Sequence, residues 1–255
     1  MQTDEKFRRF FLDEDLDVEK LLIFNLKLYH YLCHVLRVKE KNKIIIFNQE
    51  KEVLFSIEEI SKKYITLFKD KILRLTKNLK YVFNNVIFLI PIIKLDRFLS
   101  SVDMLVQMEI LNIQPTFFSR SQYNYVNEKK VYSRIVASVE QSNGMRIPRL
   151  LQSKKLLDCL LILREEDILI YANHNFIQEI SFTLIKKLNN ILKDGLPDKK
   201  LFLLVGPEGG FSDEEICLLQ SKNNCHSIML TNTILRSETA CVVLLSKILF
   251  LLQTS

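Results

Sequence analysis

The chain holds little glycine, proline or alanine: five, five and three residues among 255. It is rich instead in Lys, Ile, Leu, Asn and Phe, whose codons are A/T-rich, so the scarcity reads as mutational drift in an A/T-rich genome. Under such drift a surviving glycine is one the backbone needs. Three of the five cluster at Gly206, Gly209 and Gly210. The five cysteines are odd in number and lack any C-x-x-C spacing, which argues against a disulfide framework and a structural zinc site. They read as small buried hydrophobes in a reducing compartment. The longest uncharged apolar run, Val86 to Ile93, is eight residues, against the ~20 a membrane-spanning helix needs. The opening MQTDEKFRRFFLDED is charged, unlike a signal peptide. Repeats and low-complexity tracts are absent. The expectation is a soluble, globular, cytoplasmic protein with no membrane partner.

Charge is present and unevenly placed. The net value is +6. Residues 1–70 carry 13 basic and 13 acidic side chains, residues 71–155 carry 14 and 5, and residues 156–255 carry 9 and 12. A basic middle between a neutral head and a slightly acidic tail suggests one localised surface for a polyanion such as RNA or DNA.

Two patterns follow one another along the chain. Residues 1–75 hold short strand-like runs at Phe7–Leu12, Lys43–Phe47, Glu52–Ile57 and Tyr64–Phe68. One amphipathic helix, Leu26–Arg37, lies among them. Short strands must pair or close their edges, so a small β-barrel with one helix is expected. Residues 69–80 read as a basic linker. From residue 81 strands and helices alternate. Strands are expected at Val82–Ile93, Gln114–Phe118, Ile168–Ala172, Lys200–Val205 and Ser227–Leu230. Helices are expected at Leu95–Leu111, Lys130–Gln141, Phe176–Leu192, Asp213–Ser221 and Glu238–Leu252. Alternation implies an α/β fold with a parallel sheet covered on both faces and ligands at the carboxyl ends of its strands.

The sharpest segment is LFLLVGPEGGFSDEE, residues 201–215, an apolar strand running into a glycine-rich turn and a helix start. Ser212 and Glu215 form a capping box. The spacing fits neither a Walker loop nor a dinucleotide fingerprint. Asp213, Glu214 and Glu215 already occupy the helix N-terminus, which disfavours a polyphosphate and favours a neutral or cationic ligand such as S-adenosylmethionine. A plain tight turn is the alternative. LTNTILRSETA, residues 230–240, joins a strand to the last helix and brings Arg236 near Glu238, with Ser237 or Thr239 as its cap. EQSNGMRIP, residues 140–148, ends the basic region, where Arg146 and Arg149 suit phosphate. His30 and His34 lie one helical turn apart but lack a third ligand, so no metal is expected. A G-x-S-x-G elbow is also missing.

Together these segments resemble the RsmE family, bacterial methyltransferases of the SPOUT class that methylate N3 of a single uridine in 16S ribosomal RNA of the small subunit. GPEGGFSDEE at 206–215 is almost the family's own, and ILRSETA at 234–240 is similar to its ILRTETA. EQS at 140–142 with Arg146-Ile147-Pro148 resembles its E-Q-S-G-R-x-R-V-P, and HVLRV at 34–38 before IIIFN its N-terminal signature. Four motifs in order make the resemblance specific. It departs at Leu230-Thr231, Thr233, Asn143-Gly144 and Lys94-Leu95, where the family has Leu-Gly, Arg, Gly-Arg and Lys-Gly.

The resemblance implies a PUA-like RNA-docking barrel over residues 1–75 and a SPOUT methyltransferase domain over 76–255 with a C-terminal trefoil knot. It also implies a homodimer acting on 16S ribosomal RNA with S-adenosyl-L-methionine as cofactor. The implied cofactor pocket takes Tyr171, Ala172, Val205, Gly206, Pro207, Gly209 and Gly210 from the first two strand ends. Leu230, Ile234, Leu235 and Arg236 complete it. RNA contacts fall to Arg37, Lys94, Arg146 and Arg149. Methyl transfer to uracil N3 spreads negative charge over O2 and O4, which a cation stabilises. Arg236 is the candidate for that role, and Glu238 or Glu208 for orienting it or taking the N3 proton. Two other readings stay open: a knotted methyltransferase for another RNA position, and a catalytically silent RNA binder of ribosome assembly.

Overall fold

The computed structural model describes residues 7–79, 81–174, 182–193 and 199–253. The chain divides into two compact units, Met1–Lys80 with Val139–Ile147, and Tyr81–Ser138 with Pro148–Ser255.

In the first unit, β1 (Arg9–Phe11), β2 (Lys20–Ile23), β3 (Lys43–Phe47), β4 (Lys51–Ile60) and β5 (Ile65–Leu75) form one sheet in the order β1-β3-β4-β5-β2. β1 pairs parallel with β3, and the other pairs are antiparallel. Side chains from all five strands, among them Phe10, Leu21, Ile46, Phe55 and Leu67, share one core, so the sheet must curl. Register shifts between β4 and β5 supply the bends. The helix is shorter than its periodicity suggested. Asn25 Oδ1 caps α1 (Leu26–His30) by accepting from Lys27 N and Leu28 N, both at 3.1 Å. The next five residues form a wider turn closed by Leu36 N to Tyr31 O at 2.9 Å. β2 escaped sequence reading, since four residues beside acidic neighbours give little alternation. Residues 69–75 are strand rather than linker: β5 continues beside β4, pairing Glu52 with Arg74 and Lys51 with Leu75.

That pairing belongs to a buried charge network. Glu52 is 4% exposed at its side chain and accepts from Nε of both Arg9 and Arg74, with Arg74 Nη2 at 3.0 Å. Arg9 donates further to the carbonyls of Val139 and Glu140, each at 3.2 Å, and of Gly144 at 2.8 Å. Its guanidinium lies 4.3 Å above the Phe47 ring. Arg74 reaches Asn143 O at 3.1 Å and Oδ1 at 3.0 Å. Burial alone would raise the pKa of Glu52, but the two guanidinium donors outweigh it and the value is lowered. Glu140, whose Oε1 accepts from Phe11 N at 2.9 Å, is pushed up by burial. The EQS motif therefore anchors β1 through its glutamate.

The second unit alternates as expected: β6 (Val86–Pro91), α2 (Leu95–Gln107), β7 (Asn112–Phe117) and the start of α3 (Glu128–Ser142). Short β8 (Arg149–Leu150), β9 (Lys154–Lys155) and α4 (Leu156–Leu161) follow, none of them expected from so few residues. Then come β10 (Ile168–Ala172), α5 (Phe182–Lys193), β11 (Leu201–Leu204), α6 (Asp213–Gln220), β12 (Cys225–Ile228) and α7 (Ser237–Gln253). Residues 176–181 of the helix expected at Phe176–Leu192 lie outside the described residues. The sheet runs β12-β10-β11-β6-β7-β8, with β9 also on β7, and every pair is parallel. Strands such as LFLL are buried throughout, as a sheet covered on both faces requires. Because the strands are parallel, the chain leaves β10, β11 and β12 at the same end.

Candidate active site

At that end lies a cavity of about 630 Å³. Val205, Gly206, Pro207 and Glu208 to Phe211 form one wall, and Leu230, Ile234, Leu235 and Ala240 another. Ala172 and Asn173 come from the end of β10.

The glycine turn is held by local geometry. Gly210 has φ of +68°, which only glycine adopts without strain, and its N–H donates to Pro207 O at 2.8 Å. At Gly209 a Cβ would meet Arg120 Cβ at 3.2 Å and Arg120 O at 3.4 Å, so another segment has closed onto that position. Ser212 caps α6 with its capping box, as expected: Glu215 N donates to Ser212 Oγ at 3.2 Å, and Ser212 N to Glu215 Oε2 at 2.8 Å. The second oxygen of Glu215, itself buried, accepts from Ser119 N at 2.7 Å. One carboxylate thus ties the glycine turn to the chain after β7. Ser237 Oγ donates to Gly206 O at 2.9 Å, joining the two glycine- and arginine-bearing motifs rather than capping α7.

Most of the expected pocket residues meet here. Ala172, Val205, Gly206, Pro207, Gly209, Gly210, Leu230, Ile234 and Leu235 all line the cavity. Tyr171 lies beneath it, 2% exposed, its ring 6.0 Å from and perpendicular to that of Phe211. Burial raises its pKa. Arg236 is exposed and outside the lining, although its neighbours Leu235 and Ser237 belong to it. It forms no ion pair with Glu238 among the described residues. Glu208 lines the cavity and pairs with Arg97 at 3.2 Å across an exposed surface. Glu238 Oε2 is buried without a hydrogen-bond partner among the described residues. Nearby Cys241 is pushed up to about 12, by burial first and then by the charge of Glu238.

Of the four basic residues singled out for RNA, Arg37 and Arg146 belong to the first unit, Lys94 and Arg149 to the second. Arg37, Lys94 and Arg149 are exposed, and Arg146 is half-buried. Arg37 adopts a left-handed φ of 51°. Sequence reading missed Arg120, His174 and Ser237 in the lining. Arg120 stands about ninety residues from the glycine turn, and no local spacing announces such a contact. Thr231, where the family has glycine, donates from Oγ1 to Thr233 O at 2.6 Å, so a side-chain hydrogen bond shapes a turn otherwise left to backbone freedom. Among the described residues no cluster of three or more His, Cys, Asp or Glu could hold a metal ion, and no helix is long and apolar enough to cross a membrane.

Such a cavity, with an apolar wall, carboxylates at Glu208 and Asp213 and one guanidinium, suits a small organic ligand of mixed polarity. Comparison with known proteins agrees. A family model described as an RNA methyltransferase domain matches residues 82–249, and one described as an RNA methyltransferase PUA domain matches residues 27–69. The chain is 29% identical over 222 residues to ribosomal RNA small subunit methyltransferase E of Rickettsia conorii, covering 86% of this chain and 85% of that one. To the protein of the same name from Mesomycoplasma hyopneumoniae it is 29% identical over 247 residues, covering 94% and 97%. Its fold matches the crystal structure of the Neisseria gonorrhoeae ribosomal RNA small subunit methyltransferase E bound to S-adenosyl methionine. There the TM-score is 0.78 at 20% identity, over 96% of this chain and 98% of that one.

Proposed function

The chain belongs to the RNA methyltransferase family, and from that membership we propose that it methylates N3 of a single uridine in 16S ribosomal RNA, using S-adenosylmethionine. The observation that carries this reading is the glycine-lined cavity at the carboxyl ends of β10, β11 and β12. Its volume of about 630 Å³ lies within the range of sites that enclose cofactor-sized ligands. The left-handed turn at Gly210 leaves open space where a side chain would otherwise stand. Val205, Leu230, Leu235 and Ala240 would hold the adenosine, and the 206–210 turn would face the rest.

S-adenosylmethionine supplies an electrophilic methyl group. The chain's own residues must align uracil with it, remove the N3 proton and balance the charge that develops on O2 and O4. Arg236, an exposed guanidinium beside two lining residues, is free to reach a base brought to the cavity mouth. Glu208 lines the cavity and its pair with Arg97 is exposed, so it is placed to take the N3 proton, whereas Glu238 lies outside the lining with its Oε2 buried. RNA docks through the PUA domain together with Arg37 and Arg146, and through Lys94 and Arg149. The test is direct. Small-subunit RNA lacking the modification is incubated with the protein and S-adenosylmethionine, and modified bases are mapped by reverse transcription. One new stop at a uridine, identified as N3-methyluridine by mass spectrometry, is expected. Ribose methylation, or methylation of transfer RNA instead, would replace this reading.

The reading extends to a trefoil-knotted C-terminal region, a homodimer and action in the cytoplasm. For the knot, the support is a strand order in which β12 returns to the side of β10 away from β11. For the dimer it is α7: Leu245 and Ile248 fill the core, while Val242, Val243 and Leu249 stay half-exposed and Phe250 is 64% exposed. One core face cannot use so many apolar side chains. Light scattering at micromolar concentration should give twice the 30.1 kDa chain mass. A mass near that of one chain would sink the dimer.

A further inference from the structure

Arg120 is the one Arg or Lys side chain among the described residues that line the cavity. Its neighbours hold its backbone firmly. Phe118 N donates to Ser121 Oγ and Ser121 N to Phe118 O, both at 3.0 Å, and Ser119 N donates to the buried carboxylate of Glu215 at 2.7 Å. The guanidinium itself is only lightly engaged. Nη1 donates to Gly209 O at 3.3 Å, and Nη2 stands 4.0 Å from Asp213 Oδ1, whose carboxylate is fully exposed. A guanidinium has five donor hydrogens in a planar fork matched to a carboxylate. Here a rigid turn presents that fork at a cavity edge otherwise charged by Glu208 and Asp213. Opposite charges side by side complement a zwitterion.

We infer that this edge of the cavity reads the amino-acid tail of the cofactor, with Arg120 binding its α-carboxylate and Asp213 or Glu208 facing its ammonium. The inference rests on the cofactor assignment above and adds to it a residue that decides specificity. Nucleosides that lack the tail should bind without involving Arg120.

Titration calorimetry with two probes separates the possibilities. S-adenosylhomocysteine carries the tail, and 5′-methylthioadenosine has the same adenosine and sulfur without it. Arg120→Ala keeps the Cβ and backbone that pack on Gly209, so the turn retains its contact. S-adenosylhomocysteine should bind this variant about 10- to 30-fold more weakly, the usual worth of a charge-assisted hydrogen bond. Methylthioadenosine affinity should stay within about twofold, and Arg120→Lys should recover part of the loss, since a point charge attracts a carboxylate without the fork. An equal fall for both probes would make Arg120 a mere brace for Gly209 and overturn the inference. Unchanged affinity for both, as expected of an RNA-phosphate contact, would overturn it as well. If the unaltered protein binds neither probe, the cofactor assignment itself fails.

Discussion

Arg236→Ala should slow single-turnover methylation by about 10²–10³-fold while leaving cofactor affinity and melting temperature nearly unchanged. That size is typical of losing one group that stabilises charge in the transition state. The separation of effects follows from the structure, since the side chain is exposed, lies outside the cavity lining and has no ion pair with Glu238 among the described residues. Among the described residues only its backbone carbonyl is engaged, accepting from Ala240 N at 2.8 Å, and alanine keeps that bond. Charge that exists only during methyl transfer can be stabilised only then, so the loss belongs to the chemical step. Arg236→Lys should recover part of the rate. Rapid-quench kinetics at saturating cofactor, beside calorimetry, decides the matter. A variant that turns over normally once saturated ends the catalytic assignment.

The largest loss of stability should come from Glu52→Ala. Removing that carboxylate leaves Arg9 and Arg74 facing each other in a region where Arg9 is 8% exposed at its side chain. Breaking a buried pair in this way costs about 3–5 kcal/mol. Glu52→Gln, which keeps an acceptor, should lose less. The network also sets a pH dependence. The folded-state pKa of Glu52 is lowered, so its contribution is fully present above the ordinary glutamate range and is lost as pH falls through the folded value. The unaltered protein should therefore lose stability on acidification more steeply than Glu52→Gln. Denaturant melts at neutral and at acidic pH measure both effects, and parallel curves for the two proteins would show that Glu52 is not the titrating group.

Much of this was legible in the sequence because the signals were local. Strands LFLL and ILIYA, the capping box at Ser212 and the glycine cluster each announce themselves within a few residues. Nine expected pocket residues do gather round one cavity. What stayed hidden depends on contacts between distant positions. The basic stretch 69–75 looks like linker until Arg74 is seen opposite Glu52. Arg120 gains meaning only where it touches Gly209, and Tyr171 proves to be a support for Phe211 rather than a wall of the cavity. Arg9 gives no sign in the sequence that its partners lie some 130 positions away.

That last arrangement bears on how such a protein can be inherited. The N-terminal unit is discontinuous: its arginines are satisfied by carbonyls of residues 139–147, which the chain supplies only after building about a third of the other unit. A fragment ending at residue 80 would carry Arg9 and Arg74 with one carboxylate between them and none of those acceptors. During synthesis its charge cluster therefore stays unfinished until some sixty residues beyond residue 80 have emerged. For the same reason a gene fusion that moved the first 80 codons elsewhere would transplant an incomplete module.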